Sequence, residues 1–225
     1  MEMEYTRAFT FAQQDPAWAR KWALAGAVSL VPAVGQLVMA GYSVEVARRV
    51  IRDEAPPLPE WSDFAEYLRK GLGAVVIGLV YWLPLILVIL CASVPLILLS
   101  VSANAGRGGS LDGFASVLSL CIVAFGVVYG LLAAMLVQAA LGQYAATDQI
   151  GAGLRIGEIF GRVRAKPGLY FVVAIVSGLG ALILALVGLI ACLVGAAWGG
   201  AYAQLAHGHL VGQAYRFQSQ PNPNN

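Results

Sequence analysis

The two histidines, His207 and His209, are the residues of this chain with the most versatile chemistry, because imidazole can bind metals and transfer protons. They are separated by one residue in a stretch that we predict to be helical. Side chains two positions apart on a helix point in different directions, so this pair cannot form the i, i+4 arrangement of a helical zinc site. We therefore expect both histidines to be structural residues near a membrane edge.

Cysteine offers nucleophilic and redox chemistry, but the three cysteines of the chain are far apart in sequence. Cys91, Cys121 and Cys192 lie in separate apolar runs, with no C-x-x-C pair and no histidine nearby. We expect all three to behave as small buried hydrophobic side chains.

Catalytic and cofactor-binding motifs are absent from the sequence. It contains no G-x-S-x-G, H-E-x-x-H or P-loop motif and no paired carboxylates. We expect a protein that is not an enzyme and has no catalytic residue, no cofactor and no bound metal. The apolar runs also lack Lys, Arg, Asp and Glu, which disfavours a transporter of ions or protons.

The composition indicates a membrane protein. Hydrophobic residues make up 59% of the 225 positions and charged residues only 12%, about half of what a soluble surface needs. Four runs contain no Lys, Arg, Asp or Glu, and each exceeds the roughly 18 residues of a spanning helix: 22–44, 71–106, 113–147 and 167–215. We expect an all-α integral membrane protein with no nucleic-acid-binding surface.

Charged residues concentrate in residues 48–71, between two apolar runs. An amphipathic helix is predicted there, with three apolar residues at helical spacing and a basic end: Trp61, Phe64 and Leu68, then Arg69 and Lys70. Pro59 fits the first position of this helix. We expect these five residues to lie at the membrane interface. A helix packed on the protein's own cytoplasmic face is the alternative.

The first apolar run is interrupted at Pro32 and Gly35, which predicts either a hairpin of two spans or one kinked span. The positive-inside rule distinguishes them, because Lys and Arg accumulate in cytoplasmic loops. The hairpin gives six spans and places 13 of the 14 cationic residues on one side, leaving only Arg107 on the other. The single span gives 10 against 4 at best. We therefore favour a multi-pass cell-membrane protein with both termini cytoplasmic. Because the helices of the first hairpin are short, a re-entrant hairpin that does not cross the membrane is the alternative there.

A recurring pattern predicts three pseudo-repeats, at about residues 1–55, 56–150 and 151–215, followed by a disordered tail at 216–225. In each repeat an amphipathic segment precedes a Pro or Gly, at Pro16, Gly71 and Pro167, and a helical hairpin begins there. The predicted fold is thus one polytopic domain, 1–215, with six transmembrane helices in three hairpins, each preceded by an amphipathic interfacial helix.

Small residues four positions apart on two predicted spans indicate close helix packing. The stripes are Gly126, Gly130 and Ala134 on one helix, and Gly195, Gly199 and Ala203 on the last. Gln138 and Gln204 are substantial polar groups beside them. We favour hydrogen bonding between helices for these glutamines; a polar path for a solute is the alternative.

Several segments carry a family resemblance: GYSVEVARRVIRDEAPPLPEWSDFAEYLRKGL, AFTFAQQDPAW, GLRIGEIFGRVRAKPGLY and HGHLVGQAYR. Together they resemble the bacterial and archaeal membrane proteins of the domain-of-unknown-function family numbered 4013, over nearly the whole chain. The resemblance implies a multi-span membrane protein with no assigned activity, so no catalytic residue can be carried over from it.

We expect a non-enzymatic integral membrane protein that acts as an accessory or structural membrane component. Its partners would be membrane lipids, other membrane proteins or a second copy of the chain. The alternative is a carrier or channel for a neutral or lipid-like solute. A carrier needs a continuous polar or hydrated path, whereas an accessory protein should have a packed, dry interior.

Overall fold

The computed structural model describes residues 5–102, 110–190 and 192–219, and every regular element in these ranges is helical. Two short 3₁₀ turns, Thr6–Phe9 and Phe11–Gln14, come first. The α-helices that follow are Trp18–Ser29 (α1), Val34–Arg52 (α2), Phe64–Ser102 (α3), Ser110–Thr147 (α4), Ile150–Gly153 (α5), Ile156–Ala165 (α6), Pro167–Ile190 (α7) and Cys192–Ser219 (α8). The all-α prediction is confirmed for these ranges, whereas Arg107 lies outside the described residues.

Three of the described helices are long and apolar enough to cross a membrane, at Phe64–Pro95, Ser116–Thr147 and Pro167–Ile190. Their mean hydropathy is 2.6 or 2.7, and at most 17% of the most apolar window of each is buried inside the protein. Apolar surface of this extent is unfavourable in water and favourable in lipid. These helices indicate a membrane-embedded protein, as the composition predicts.

The prediction that the cysteines are buried is wrong for Cys91 and Cys121, since both side chains are exposed. The physical reason is that lipid surrounds an apolar helix with an apolar medium, so a small hydrophobic side chain there needs no burial inside the protein. The side chain of Cys192 lies outside the described residues.

Residues 30–33 separate α1 from α2, at the interruption that Pro32 and Gly35 predict. A Cβ added to Gly35 would lie 2.0 Å from the carbonyl oxygen of Val28, so only glycine fits at this point. α1 has 12 residues, which makes it about 18 Å long. Because the hydrocarbon core of a bilayer is roughly 30 Å thick, α1 as a straight helix reaches only part of the way across.

α2 ends in a Schellman motif that fixes how the chain leaves the helix. Asp53 adopts the left-handed conformation, with φ 59° and ψ 36°. The backbone N–H of Glu54 donates to the carbonyl oxygen of Arg49 at 3.0 Å, which satisfies one of the last carbonyl groups of the helix. The proline-rich segment that leads to α3 begins directly after this motif.

The surface helix predicted before Gly71 is not a separate element; it forms the first turns of α3. The Asp63 carboxylate accepts the N–H of Glu66 at 3.0 Å and caps the helix, so α3 begins at Phe64 rather than at Pro59. The prediction that a surface helix ends before Gly71 and a separate span begins there is wrong. Gly71 stays helical and contacts α2 closely, because a Cβ added to it would lie 1.8 Å from the carbonyl oxygen of Leu37.

The other two amphipathic segments differ from each other. Before α1, two 3₁₀ turns replace the expected helix, and their apolar residues Ala8, Phe11 and Ala12 are buried. Before α7, α6 is a separate helix as predicted, with Ile159 and Val163 buried.

The tail was expected to begin at residue 216, but α8 continues to Ser219. Hydrogen bonds hold this last turn in place. The ammonium of Lys166 donates to the carbonyl oxygen of Phe217 at 3.1 Å, and the Gln218 side-chain amide donates to the carbonyl oxygen of Arg162 at 2.8 Å. The remaining residues, 220–225, lie outside the described ranges.

Two compact units make up the chain. The larger comprises Met1–Gly78 and Met135–Asn225, and the smaller comprises Leu79–Ala134. Within the larger unit, α8 packs against α7, α2 and α1. Within the smaller unit, the Tyr129 hydroxyl donates to the carbonyl oxygen of Tyr81 at 2.9 Å. The pseudo-repeats rest on sequence pattern and stay a prediction.

Candidate helix-packing and interface sites

Trp61 lies against the protein in an aromatic cluster. Its ring stacks on Tyr42 of α2, with ring centroids 4.3 Å apart and an interplanar angle of 8°. Its indole N–H donates to the carbonyl oxygen of Lys21 at 3.0 Å. The Tyr42 hydroxyl in turn donates to the carbonyl oxygen of Pro59 at 2.8 Å. Apolar and polar contacts together therefore attach the segment before α3 to α1 and α2.

The other two apolar residues of the predicted interface have different surroundings. Leu68 is partly buried against the same cluster, whereas Phe64 keeps 47% of its surface exposed. Of the three residues, Phe64 is the one most available to contact lipid headgroups.

Lys70 is only 3% exposed and forms the centre of an ion-pair cluster. Its ammonium contacts the Glu45 carboxylate of α2 and lies 2.9 Å from the Glu66 carboxylate, one turn earlier on α3. Arg69 is exposed, and its guanidinium lies 3.1 Å from the Asp148 carboxylate after α4. These adjacent cations thus join α3 to two different neighbours, Lys70 to α2 and Arg69 to the connection that follows α4.

Lys21 forms a second buried ion pair, which the sequence did not reveal. Its ammonium lies 2.8 Å from the Asp15 carboxylate, and both side chains are at most 3% exposed. It also donates to the carbonyl oxygen of Leu58 at 2.9 Å and lies 2.6 Å from the exposed carboxylate of Glu60. The available sequence signal is an Asp six positions before a Lys, a spacing with no specific meaning on its own.

Gly199 lies where the backbones of α8 and α7 touch. A Cβ added to Gly199 would lie 2.4 Å from the carbonyl oxygen of Leu184, and one added to Gly188 would lie 2.6 Å from that of Gly195. Neither position has room for a side chain. These distances fit the packing role that the small-residue stripe predicts for this helix, on which Ala203 is half-buried.

α2 makes close backbone contacts of the same kind with two helices. A Cβ added to Gly41 would lie 1.8 Å from the carbonyl oxygen of Tyr67 in α3, and one added to Gly208 of α8 would lie 2.3 Å from that of Ser43. Isolated small residues carry little signal in a chain with 26 glycines, so the spacing of Gly41 and Gly208 does not predict these contacts.

The stripe on α4 is packed less tightly. A Cβ added to Gly126 would lie 3.9 Å from Leu85, and one added to Gly130 would lie 3.7 Å from Trp82, both ordinary van der Waals distances. Ala134 is half-buried. The smaller unit therefore has room for a methyl group at both glycines.

Gln138 and Gln204 have different surroundings. Gln138 is 6% exposed, and its side-chain carbonyl oxygen has no hydrogen-bond partner among the described residues. Gln204 lines a cavity of about 50 Å³ together with Ser43 and His207, and Gln138 is not part of its wall. A cavity of this volume has room for a few water molecules at most.

The two histidines have separate surroundings, as their spacing predicts. His209 is buried and stacks on Phe11, with ring centroids 4.2 Å apart, whereas His207 lines the small cavity. Within the described residues, no group of three or more His, Cys, Asp or Glu side chains is arranged to hold a metal ion.

Comparison with known proteins identifies the family. Residues 24–194, most of the chain, match the family described as "Protein of unknown function (DUF4013)". The chain belongs to the DUF4013 family. This confirms the resemblance that the sequence motifs carry, and no curated protein and no solved structure matches significantly.

The DUF4013 match begins within α1 and ends within the first turn of α8. It contains the aromatic cluster around Trp61 and the ion pairs of Lys70, whereas Asp15, Gly199 and His209 lie outside it. The match is shorter than the resemblance that we expected over nearly the whole chain. The DUF4013 description assigns no activity to any of these residues.

Proposed function

We propose that this DUF4013 protein is a non-enzymatic integral membrane protein that acts as an accessory or structural component of the cell membrane. The observation that carries the proposal is backbone contact on two sides of α8, with α7 at Gly199 and with α2 at Gly208. Contacts this close leave no room for a solute path along those two seams. They favour a protein whose function depends on a fixed arrangement of helices.

In the proposed topology, three helical hairpins enter the membrane from the cytoplasmic side, and both termini are cytoplasmic. The 13 to 1 distribution of Lys and Arg supports this arrangement. Ion pairs give further support, because they join helix ends that must then share one face. Lys70 at the start of α3 pairs with Glu45 of α2, and Arg216 near the end of α8 pairs with Asp53 after α2.

The hairpins α1–α2, α3–α4 and α7–α8 supply the six membrane-inserted helices of this topology, and the first inserts only as deeply as the 12 residues of α1 allow. Three pseudo-repeats about an axis along the membrane normal belong to the same proposal. The large exposed apolar residues of the longer helices supply a surface for membrane lipids, another membrane protein or a second copy of the chain.

A carrier or channel for a neutral or lipid-like solute is the second candidate. The buried oxygen of Gln138, which has no partner among the described residues, and the cavity beside Gln204 favour it. However, that cavity measures about 50 Å³, whereas sites for small organic molecules measure roughly 300–1,000 Å³. The carrier therefore ranks second.

Reconstitution into liposomes distinguishes the two candidates. We expect glycerol and urea to enter proteoliposomes no faster than empty liposomes, as measured by stopped-flow light scattering. The variant Gln138→Leu should behave like the parent. Entry that is faster than in empty liposomes and that Gln138→Leu abolishes would overturn the accessory proposal in favour of the carrier.

Extraction from native membranes in mild detergent tests the accessory role itself. We expect one membrane protein or lipid class to remain with the chain in a fixed ratio through two purification steps. Recovery of the chain with nothing retained beyond what an unrelated membrane protein of similar size retains would contradict this role.

A further inference from the structure

The larger unit contains a cavity of about 380 Å³ that takes no part in the helix seams. It lies between the 3₁₀ turns, the end of α2 with the loop that follows, and the end of α8. Six residues of its wall matter most: Arg7, Phe11, Arg49, His209, Gln213 and Arg216. The volume falls within the roughly 300–1,000 Å³ of small-molecule sites.

The charge of the cavity wall favours an anion. Three guanidinium groups from different elements border it: Arg7, Arg49 and Arg216. Two carboxylates, Asp53 and Glu54, belong to the same wall, so three arginines against two acids leave it a formal charge of +1. Asp53 lies 2.8 Å from Arg216, and Glu54 lies 3.7 Å from Arg52, which is not part of the wall.

Three wall residues also have buried polar atoms that make no hydrogen bond with any described residue. These atoms are Nε of Arg49, Nδ1 of His209 and Oε1 of Gln213. His209 is only 6% exposed, and its ring is held by stacking on Phe11. Buried polar atoms in proteins nearly always have partners. These atoms are themselves shielded from the cavity, so a ligand reaches them when the side chains turn toward it. Three unused hydrogen-bonding groups in the wall of one cavity favour a ligand with complementary groups.

The chemistry of these atoms defines that ligand. Nε of Arg49 is a donor and requires an acceptor on the ligand, whereas Oε1 of Gln213 is an acceptor and requires a donor. Guanidinium groups bind phosphate through several N–H donors at once. Three of them can surround the free oxygens of a phosphate ester, of which a monoester has three and a diester has two.

We propose that this cavity binds a phosphate ester that also carries a hydroxyl or ammonium group. Arg7, Arg49 and Arg216 bind the phosphate, and the hydroxyl or ammonium group donates to Gln213. The ring of Phe11 supplies an apolar wall for the carbon skeleton between them. Two sources supply this chemistry, the headgroup of an anionic membrane lipid and a soluble phosphate ester of similar size.

Two probes distinguish these sources. Glycerol 3-phosphate is titrated into the full-length protein in neutral detergent and followed by calorimetry. In parallel, nanodiscs that contain phosphatidylglycerol or phosphatidylcholine are analysed by native mass spectrometry for retained lipid. Saturable binding of glycerol 3-phosphate supports a soluble ester, and preferential retention of phosphatidylglycerol supports a lipid headgroup. Failure of both probes to bind overturns the proposal.

Arg49→Gln tests the site, with Arg20→Gln on α1 as the control. Both variants lose one positive charge, but Arg49 lines the cavity, whereas Arg20 is exposed and takes no part in its wall. We expect Arg49→Gln to weaken binding of the retained probe by about tenfold or more and Arg20→Gln to change it by less than about twofold. An equal loss in the two variants would mean that the probe responds to surface charge alone, which would overturn the site.

Gln213→Leu provides a second test that does not depend on arginine. Arg49 also donates to the carbonyl oxygen of Pro56 at 2.9 Å, so its replacement can disturb the loop, whereas Oε1 of Gln213 has no partner among the described residues. Gln213→Leu should keep the parental melting temperature and weaken binding of the retained probe. A folded Gln213→Leu variant with parental affinity would overturn the assignment of Gln213 to the ligand.

Discussion

Gly199 of α8 lies directly against Leu184 of α7, so closely that a Cβ on Gly199 would be 2.4 Å from the Leu184 carbonyl oxygen. The next residue, Gly200, has open space around it, with no atom within 4 Å of an added Cβ. Two adjacent glycines therefore differ completely in their tolerance of a side chain. This difference shows which face of α8 is packed.

Gly199→Leu should lower the folded yield and the melting temperature in detergent, because overpacking displaces the helix backbones at a typical cost of about 1–3 kcal/mol. Gly200→Leu is the matched control and should retain the parental yield and melting temperature. Size-exclusion profiles and thermal unfolding measure both quantities. If Gly199→Leu is as stable as Gly200→Leu, the α7–α8 seam is not packed and the carrier candidate gains support.

Trp61→Ala should lower the free energy of unfolding by about 3 kcal/mol, because it removes the stack on Tyr42 and the hydrogen bond to Lys21. Phe64→Ala is the control, since this nearby aromatic residue is 47% exposed; we expect a cost of less than about 1 kcal/mol. Thermal unfolding in detergent compares the two. Equal losses would mean that the segment is held by its lipid or detergent surroundings and not by α2.

Local sequence pattern was sufficient to predict the membrane class and the division of α1 from α2. Lipid requires long uncharged helices, and these are visible directly in the composition of each run. The interruption at Pro32 and Gly35 is equally local. α6 was predictable for the same reason, because its apolar and charged residues alternate at helical spacing within ten residues.

The charge clusters could not be predicted, because each depends on partners from distant elements. Lys70 is buried by its contact with Glu45 of α2, and no local pattern connects the two residues. Trp61 was recognised as part of an apolar face, but the identity of its partner, Tyr42, depends on the way α2 packs. The continuity of α3 through Gly71 likewise depends on its contact with α2, since glycine alone favours a break.

Lys21→Met should be strongly destabilising, because it removes the cation that pairs with the Asp15 carboxylate, which is only 2% exposed. Breaking one partner of a buried pair typically costs about 3–5 kcal/mol. Arg20→Met, at the exposed neighbouring position, should change the free energy of unfolding by at most about 0.5 kcal/mol.

A double variant, Lys21→Met with Asp15→Leu, tests the cause of this loss. It should recover part of the stability that Lys21→Met loses, because neither buried charge is then left alone. Chemical or thermal unfolding of the parent, the single variants Lys21→Met and Asp15→Leu, and the double variant completes the cycle. A double variant that is less stable than Lys21→Met alone would contradict a buried pair as the source of the effect.

Cysteine labelling in cells tests whether α3 crosses the membrane with its start on the cytoplasmic side, on which the proposed topology depends. In a background without native cysteines, Arg107→Cys marks the sequence between α3 and α4, and Ser62→Cys marks an exposed position before α3. We expect a membrane-impermeant maleimide to label position 107 in intact cells and to label position 62 only after the membrane is permeabilised. Labelling of position 62 in intact cells would contradict this topology.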